Sequence, residues 1–395
     1  MRNASRMPET KPIARDLVAR FIAAYGQTPR LFRSPGRINL IGEHTDYNEG
    51  FVLPAAIDRS VFVAVAPGND DTVRIRSTAF ATHYVGMLAE LGPSSLGWPN
   101  NAIGVAALLR DDGFPVGGFD LLADSDLPVG AGLSSSAAFS CATLLALDRT
   151  FGLGLTRERM ARYAQLAEHR YSGVNCGIMD PFASLHGRKG SFIRLDCRSM
   201  EHAYVPFGLE DVSILLLDTN VKHSLASSEY NVRRAECERG VEKVRERHPH
   251  VRSLRDVDER MLEECVMATD PVAHARCRYV LSENARLMEA CRHLERGDMK
   301  AVGDCLFASH EGLARRYEVS CRELDWLVEA VRRDPDVLGA RMMGGGFGGC
   351  TINLVRSGAV ERIVQTLGHA YNRETGLPLT WMSVAPEDGS SELPI

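Results

Sequence analysis

The sequence predicts an α+β protein of more than one domain. Its 395 residues are enough for two or three units that each bury a core. Short apolar or alternating runs bounded by turn residues, the strand pattern, are interspersed with longer stretches of helical period. The two patterns meet at Pro128–Ala138, PVGAGLSSSAA. There a strand pattern, Phe119–Leu122, gives way through glycines and three successive serines to a long helix-compatible run.

Bulk composition narrows the function classes. With 45% apolar and 25% charged residues the chain resembles an ordinary soluble protein. A net charge of -5 argues against a general nucleic-acid or membrane binder, so neither is expected as a partner. The ten cysteines never fall closer than Cys265 and Cys277, which leaves no C-x-x-C pair. Their scatter among apolar neighbours predicts reduced thiols and a cytoplasmic protein. The N-terminal stretch lacks the continuous apolar core of a signal peptide, and no run reaches the length of a membrane span.

Taken in order, Ile13, Leu17, Val18, Phe21 and Ile22 recur at helical spacing and predict a first amphipathic helix. Leu31–Arg59 then reads as strand, polar turn, strand, with Ile38, Leu40 and Ile41 before the turn and Phe51, Val52 and Leu53 after it. The turn carries Glu43, His44, Asp46 and Asn48. Two carboxylates, an imidazole and an amide suit a ring of hydroxyls, as in a sugar. The alternative is a solvated hairpin loop. Arg37, just upstream, can reach a phosphate or a carboxylate, or serve as a routine salt-bridge residue.

Val61–Val65 and Val73–Ile75 continue as strands, and Gly68–Asp71 between them predicts a hairpin. Trp98–Arg110 reads as a helix. The stretch after Phe119–Leu122 has the order an anion site wants. Gly130 and Gly132 let backbone approach closely, Ser134, Ser135 and Ser136 add hydroxyls, and the helix N-terminus presents unpaired N–H groups. The competing reading is an ordinary turn with Ser134 as N-cap. No Gly-Lys dipeptide occurs in the chain, which excludes a Walker-type loop.

Glu168 and His169 fall on a helix predicted over Thr156–Tyr171. Asp180, framed by Met179 and Pro181-Phe182, is either a helix cap or a partly desolvated carboxylate, with the cap preferred on position alone. Phe192–Cys197 and the nearly all-apolar Val212–Asn220 read as strands, the second one central. Ser224–His248 is helical with mixed charge, and further helical patterns run to Val331. Gly344, Gly346 and Gly349 spell G-x-G-x-x-G, but Cys350–Val355 alternates as a strand where a dinucleotide fold needs a helix. A glycine-rich turn between strands fits better.

Three stretches, Arg33–Arg59, Pro128–Ala138 and Met343–Cys350, resemble the three motifs of the GHMP small-molecule kinases. Within that superfamily the galactokinase family is the near match. RSPGRINLIGEHTDYNEGFVLP is similar to its N-terminal signature, CGIMD (Cys176–Asp180) to its catalytic segment, and HSLASSEYNVRR (His223–Arg234) to its sugar-side segment. The resemblance runs on through EVSCRELD to at least Val355, about nine tenths of the chain.

It implies a two-domain GHMP kinase fold, an S5-domain-2-like unit over 1–200 and a GHMP C-terminal unit over 201–395, with the active site between them. The implied reaction is phosphorylation of α-D-galactose at C1 by magnesium ATP, the entry step of galactose metabolism, in a monomer. By the same resemblance Asp180 is the catalytic carboxylate and Arg37 its partner. Glu43, His44, Asp46, Gly177 and Tyr230 hold galactose with Asp180. Gly130, Ala131, Gly132, Leu133, Ser134, Ser135 and Ser136 wrap the ATP phosphates, Trp98 lies on the base side, and Ser136 and Glu168 ligate Mg2+. Two positions depart from the family pattern: Pro181, where many members carry glutamine, and Asn101, where an aromatic often follows Trp-x-Asn. A sister sugar kinase and a non-catalytic galactose sensor are the rival readings, and the complete Ser134–Ala138 segment favours catalysis over the sensor.

Overall fold

The structure, a computed structural model, describes residues 12–128, 132–208, 211–221 and 226–395. In the first half the elements are α1 (Pro12–Tyr25), β1 (Arg30–Asn39), β2 (Phe51–Val52), β3 (Pro54–Pro67), β4 (Thr72–Ser77), β5 (Tyr84–Met87), α2 (Asn100–Asp111), β6 (Phe119–Ser125), α3 (Ser135–Phe151), α4 (Arg157–Ala167), α5 (Met179–His186), β7 (Ser191–Asp196) and β8 (His202–Pro206). The second half adds β9 (Val212–Asp218), α6 (Ala226–Arg247), α7 (Glu259–Cys265), α8 (Pro271–Glu295), α9 (Met299–Gly312), α10 (Arg322–Arg332), β10 (Val337–Met342), β11 (Cys350–Arg356), α11 (Val360–Thr375), β12 (Thr380–Val384) and β13 (Ser391–Leu393).

Helix starts follow local chemistry. Thr156 caps α4 by accepting the Arg159 N–H, as its spacing predicts, and Asp258, Asp270 and Asp298 cap α7, α8 and α9 in the same way. The strands form three sheets, ordered β13-β1-β3-β6-β4-β5, β10-β11-β9-β12 and β2-β7-β8. β9 is interior, as its apolar run demands.

The hairpin predicted across Gly68–Asp71 does not form. β6 lies between β3 and β4, antiparallel to the first and parallel to the second. Phe119–Leu122 is buried on both faces and needs an interior position, whereas β4 alternates between buried and partly exposed residues. The missing side chain of Gly118 makes the crossing possible, since a Cβ there would stand 2.0 Å from the Asp70 carbonyl oxygen.

The two halves are not packed independently. Phe32, Ile38, Val63 and Leu144 share one buried cluster with Leu216, Leu287 and Ile352, while α1 covers the other face of the first sheet through Leu17 and Phe21. The last strand, in the part assigned from sequence to 201–395, pairs with β1 on the first sheet, and Arg30 bonds Glu392 across that edge. β8, also beyond residue 200, pairs with β7. None of the ten cysteines is in a disulfide, and among the described residues no helix is long and apolar enough to cross a membrane.

Candidate active site

Beyond β1 the chain folds into a loop whose polar side chains are buried. Glu43, His44, Asp46 and Asn48 are 2%, 3%, 9% and 6% exposed, which rules out the solvated hairpin loop. Gly42, at φ +95, begins the turn where a Cβ would meet the Phe51 carbonyl. One face of α8 holds the loop. Glu283 accepts the Gly42 N–H (3.1 Å), Asn284 accepts the Phe51 N–H (2.9 Å), and Tyr279 donates to the Glu43 carbonyl (3.0 Å). Arg341 of β10, fully buried, donates to the carbonyls of Leu40 and Asn39 and to Glu43 Oε1 (3.1 Å). Gly344 N–H donates to the same Oε1 (2.8 Å), which ties the loop to the third glycine motif.

His44 sits at φ +60, and burial pushes its imidazole down to about 3, so the ring is neutral. Its ring lies against those of Tyr47, Tyr230 and Tyr317. Asp46 is pushed up to about 7, by burial first and then by the charges of Asp180 and Glu43. Gly177 gives it room, for a Cβ on Gly177 would overlap the Asp46 carboxylate.

Asp180 is the second residue of α5, and the cap position belongs to Ile178, so the cap preferred from sequence is not its role. Its carboxylate is instead gripped by Arg37, with Nε to Oδ1 at 2.7 Å and Nη2 to Oδ2 at 3.0 Å. Arg37 Nη1 also donates to the Gly132 carbonyl (2.6 Å), and the Ser134 hydroxyl donates to Asp180 Oδ2. Burial opposes the charge on Arg37. The carboxylates of Asp180 and Glu43 more than offset this and hold its pKa above the usual value.

Of the phosphate-loop candidates, Gly130 and Ala131 lie outside the described residues. Gly132 and Ser134 take left-handed backbone, Leu133 is buried, and Ser135 and Ser136 stand exposed in the first turn of α3. Ser134 precedes α3 without a side-chain cap bond, its hydroxyl being committed to Asp180. Glu168, just past α4, is half-buried, and its buried Oε1 has no hydrogen-bond partner among the described residues. Burial raises its pKa, Asp180 adds to that, and a hydrogen bond from Ser136 works the other way. An orphaned carboxylate oxygen beside a serine hydroxyl fits a hard divalent cation that draws its other ligands from phosphates and water. Among the described residues no cluster of three or more His, Cys, Asp or Glu could hold a metal alone.

These groups converge on a cleft of about 940 Å³ lined by Arg37, Glu43, His44, Asp46, Gly132–Ser136, Glu168, Asp180, Tyr230 and the Met343–Gly349 turn. The two glycine loops nearly touch there, a Cβ on Gly344 falling 3.6 Å from the Gly132 carbonyl oxygen. Trp98 is not among the lining residues. Its ring stacks on Phe80 (centroids 5.1 Å apart), and its Nε1–H donates to Thr82. Arg341 and Glu283, which brace the loop, and Tyr47 and Tyr317, which pack on His44, are contacts that sequence reasoning missed. Only Arg341 had a local signal, an arginine inside an apolar strand.

Comparison with known proteins fits this geometry. The galactokinase galactose-binding signature matches residues 19–67, the GHMP kinase N-terminal domain residues 100–188 and the GHMP kinase C-terminal domain residues 287–373. Galactokinase of Thermotoga petrophila is 39% identical over 91% of this chain and 99% of its own, and that of Exiguobacterium sibiricum 40% identical over 94% and 96%. The crystal structure of Lactococcus lactis galactokinase complexed with galactose superposes with a TM-score of 0.92 at 34% identity, covering 96% of this chain and all of the other. Mevalonate kinase of Methanococcus jannaschii shares the fold alone, with a TM-score of 0.62 at 16% identity over 91% of this chain and 99% of its own. With its buried polar loop, its Arg37–Asp180 pair and its three matched motifs, the chain belongs to the galactokinase family of the GHMP kinases.

Proposed function

We propose that this sugar kinase transfers the γ-phosphoryl group of ATP to the C1 hydroxyl of α-D-galactose, giving α-D-galactose 1-phosphate and ADP. The observation that carries this reading is the bidentate Arg37–Asp180 pair, set between a loop of buried polar groups and the N-terminus of α3. Asp180 accepts the C1 proton. Among the described residues Oδ2 takes Arg37 Nη2 and Ser134, whereas Oδ1 takes only Arg37 Nε, so the open acceptor position is on Oδ1. Arg37 holds that carboxylate in place through two hydrogen bonds and faces the transferring phosphoryl group. Phosphoryl transfer asks for positioning and charge neutralisation more than covalent work.

Glu43, His44, Asp46, Gly177 and Tyr230 hold the sugar. Glu43 is fixed through Oε1 by Arg341 and Gly344, which leaves Oε2 for a hydroxyl. The loop Gly130–Ser136 takes the ATP phosphates on the helix terminus, and Trp98 is assigned to the base side. Ser136 and Glu168 would hold Mg2+, which when bound neutralises phosphate charge. The relative solved with galactose, at 34% identity, supports that sugar over others.

We further propose an N-terminal unit of about 200 residues completed by the returning strand β13, a C-terminal unit from there on, and a cytoplasmic monomer, consistent with ten unpaired cysteines. ADP release with magnesium ATP should be confined largely to galactose when arabinose, glucose, galactosamine and N-acetylgalactosamine are compared. Turnover centred on another of these sugars would point to a sister kinase, and galactose binding without turnover to a sensor.

A further inference from the structure

The loop 173–176 runs from the turn that carries Glu168 to the sugar-side Gly177, and both halves of the chain hold it. From the first half, Gln165 Nε2 (3.1 Å) and His169 Nε2 (2.8 Å) donate to the Cys176 carbonyl. From the second half, α6 supplies Asn231 and Arg234. Asn231 Oδ1 accepts the Asn175 N–H (3.1 Å), Asn231 Nδ2 donates to the Gly173 carbonyl (3.3 Å), and Arg234 Nη1 donates to the Asn175 carbonyl (3.0 Å).

The partners fix which way the Asn231 amide faces, since a peptide N–H can only donate and a peptide carbonyl only accept. Asn231 and Arg234 are three residues apart and share one face of α6. Tyr230, next to Asn231 in the chain, lines the cleft with its ring centroid 5.2 Å from that of His44. At the far end of the loop Gly177 lies so close to Asp46 that a Cβ would overlap the carboxylate. The bonds from α6 therefore tie together two walls of the sugar pocket that come from different halves of the chain. Neither Asn231 nor Arg234 lines the cleft itself.

We propose that Asn231 and Arg234 are positioning residues for the sugar, clamping the loop 173–176 so that Tyr230 and Gly177 keep their places around galactose. This rests on the assignment of Tyr230 and Gly177 to the sugar site. The three bonds end on Gly173 and Asn175 and not on Asp180 or Gly132–Ser136, so the clamp acts on sugar binding and not on phosphoryl transfer.

The test reads the clamp and the pocket separately. Full-length wild type, Asn231→Ala, Asn231→Asp, Arg234→Ala and Gly177→Ala are assayed for kcat and for KM with galactose and with ATP, beside melting curves. Hydrogen exchange over residues 173–177 is followed by mass spectrometry. Alanine is the better helix former, so α6 survives Asn231→Ala. That variant is expected to speed exchange in the loop about tenfold and to raise the galactose KM about tenfold, with kcat and the ATP KM within about twofold. Arg234→Ala, which removes one bond instead of two, moves both quantities by less. Asn231→Asp keeps an acceptor for the Asn175 N–H, loses the donor to Gly173, and falls between wild type and Asn231→Ala.

Unchanged exchange in Asn231→Ala, or a fall in kcat without a rise in the galactose KM, overturns the proposal. Faster exchange with an unaltered galactose KM overturns it too, and Gly177→Ala then shows which part fails. A raised galactose KM in Gly177→Ala leaves the sugar assignment standing without the clamp, and an unaltered one removes the sugar assignment itself.

Discussion

Gly177 and Asp46 occupy each other's space: a Cβ on Gly177 would stand 2.0 Å from Asp46 Oδ2 and 2.1 Å from its Cγ. Gly177 has ordinary negative φ, so an alanine there is resisted by this one contact and not by backbone strain. Gly177→Ala should therefore displace the Asp46 carboxylate, raising the galactose KM at least tenfold while the KM for ATP stays within about twofold. Steady-state kinetics with each substrate varied in turn, beside a melting curve to show retained folding, checks this. An unaltered galactose KM would remove Asp46 from the sugar site.

The same aspartate gives stability a dependence on pH. Its native value of about 7 lies above the roughly 3.9 of an unfolded chain, so the folded protein holds an extra proton between those values. Stability from this group is complete below about pH 4 and is lost as pH rises through about 7. Asp46→Asn keeps an acceptor for the N–H groups of Tyr47 and Met179 and removes the charge. Relative to wild type it should gain more at pH 8 than at pH 5, by up to a few kcal/mol. Denaturant unfolding of both proteins at the two pH values measures the difference, and an equal offset at both refutes it.

Asp180→Asn keeps the shape of the residue and loses the base. Turnover should fall by roughly 10²–10⁴-fold, with galactose affinity measured by calorimetry within severalfold of wild type. Wild-type-like turnover would leave Arg37 and Ser134 clasping a carboxylate with no part in proton transfer.

Glu168→Gln separates cation binding from folding. An unpartnered buried carboxylate oxygen is costly until a cation arrives. The variant is expected to melt no lower than wild type in the presence of chelator, yet to need at least tenfold more Mg2+ for half-maximal rate. Magnesium titrations of rate and melting curves in EDTA read the two effects separately.

Much of the fold and site was legible because it depends on neighbours in sequence. The strand-loop-helix at Phe119–Phe151, the Thr156 cap and the strand after the third glycine motif are all set by local pattern. The central place of β6 was not, since pairing partners are chosen by burial across the sheet and not by the nearest turn signal. For the site, residue types and motif resemblance brought forward Arg37, Asp180 and the Glu43–Asp46 loop. Glu283 and Arg341 stayed hidden because each acts on that loop from some 240 to 300 residues away. Position alone preferred a cap for Asp180, and only the approach of Arg37 from β1 shows what its carboxylate is bonded to.

The pairing of β13 with β1 has a consequence for how the chain matures on the ribosome. β1 emerges far ahead of β13, and its outer edge has no partner until residues Ser391–Leu393 are made. At roughly 5–20 residues per second that interval is on the order of tens of seconds. Through it the nascent chain offers a bare strand edge to other chains, the configuration most prone to intermolecular pairing. β13 thus acts as a seal applied long after the strand it covers is made, and proteolytic loss of Ser391–Leu393 would reopen the same edge in the mature molecule.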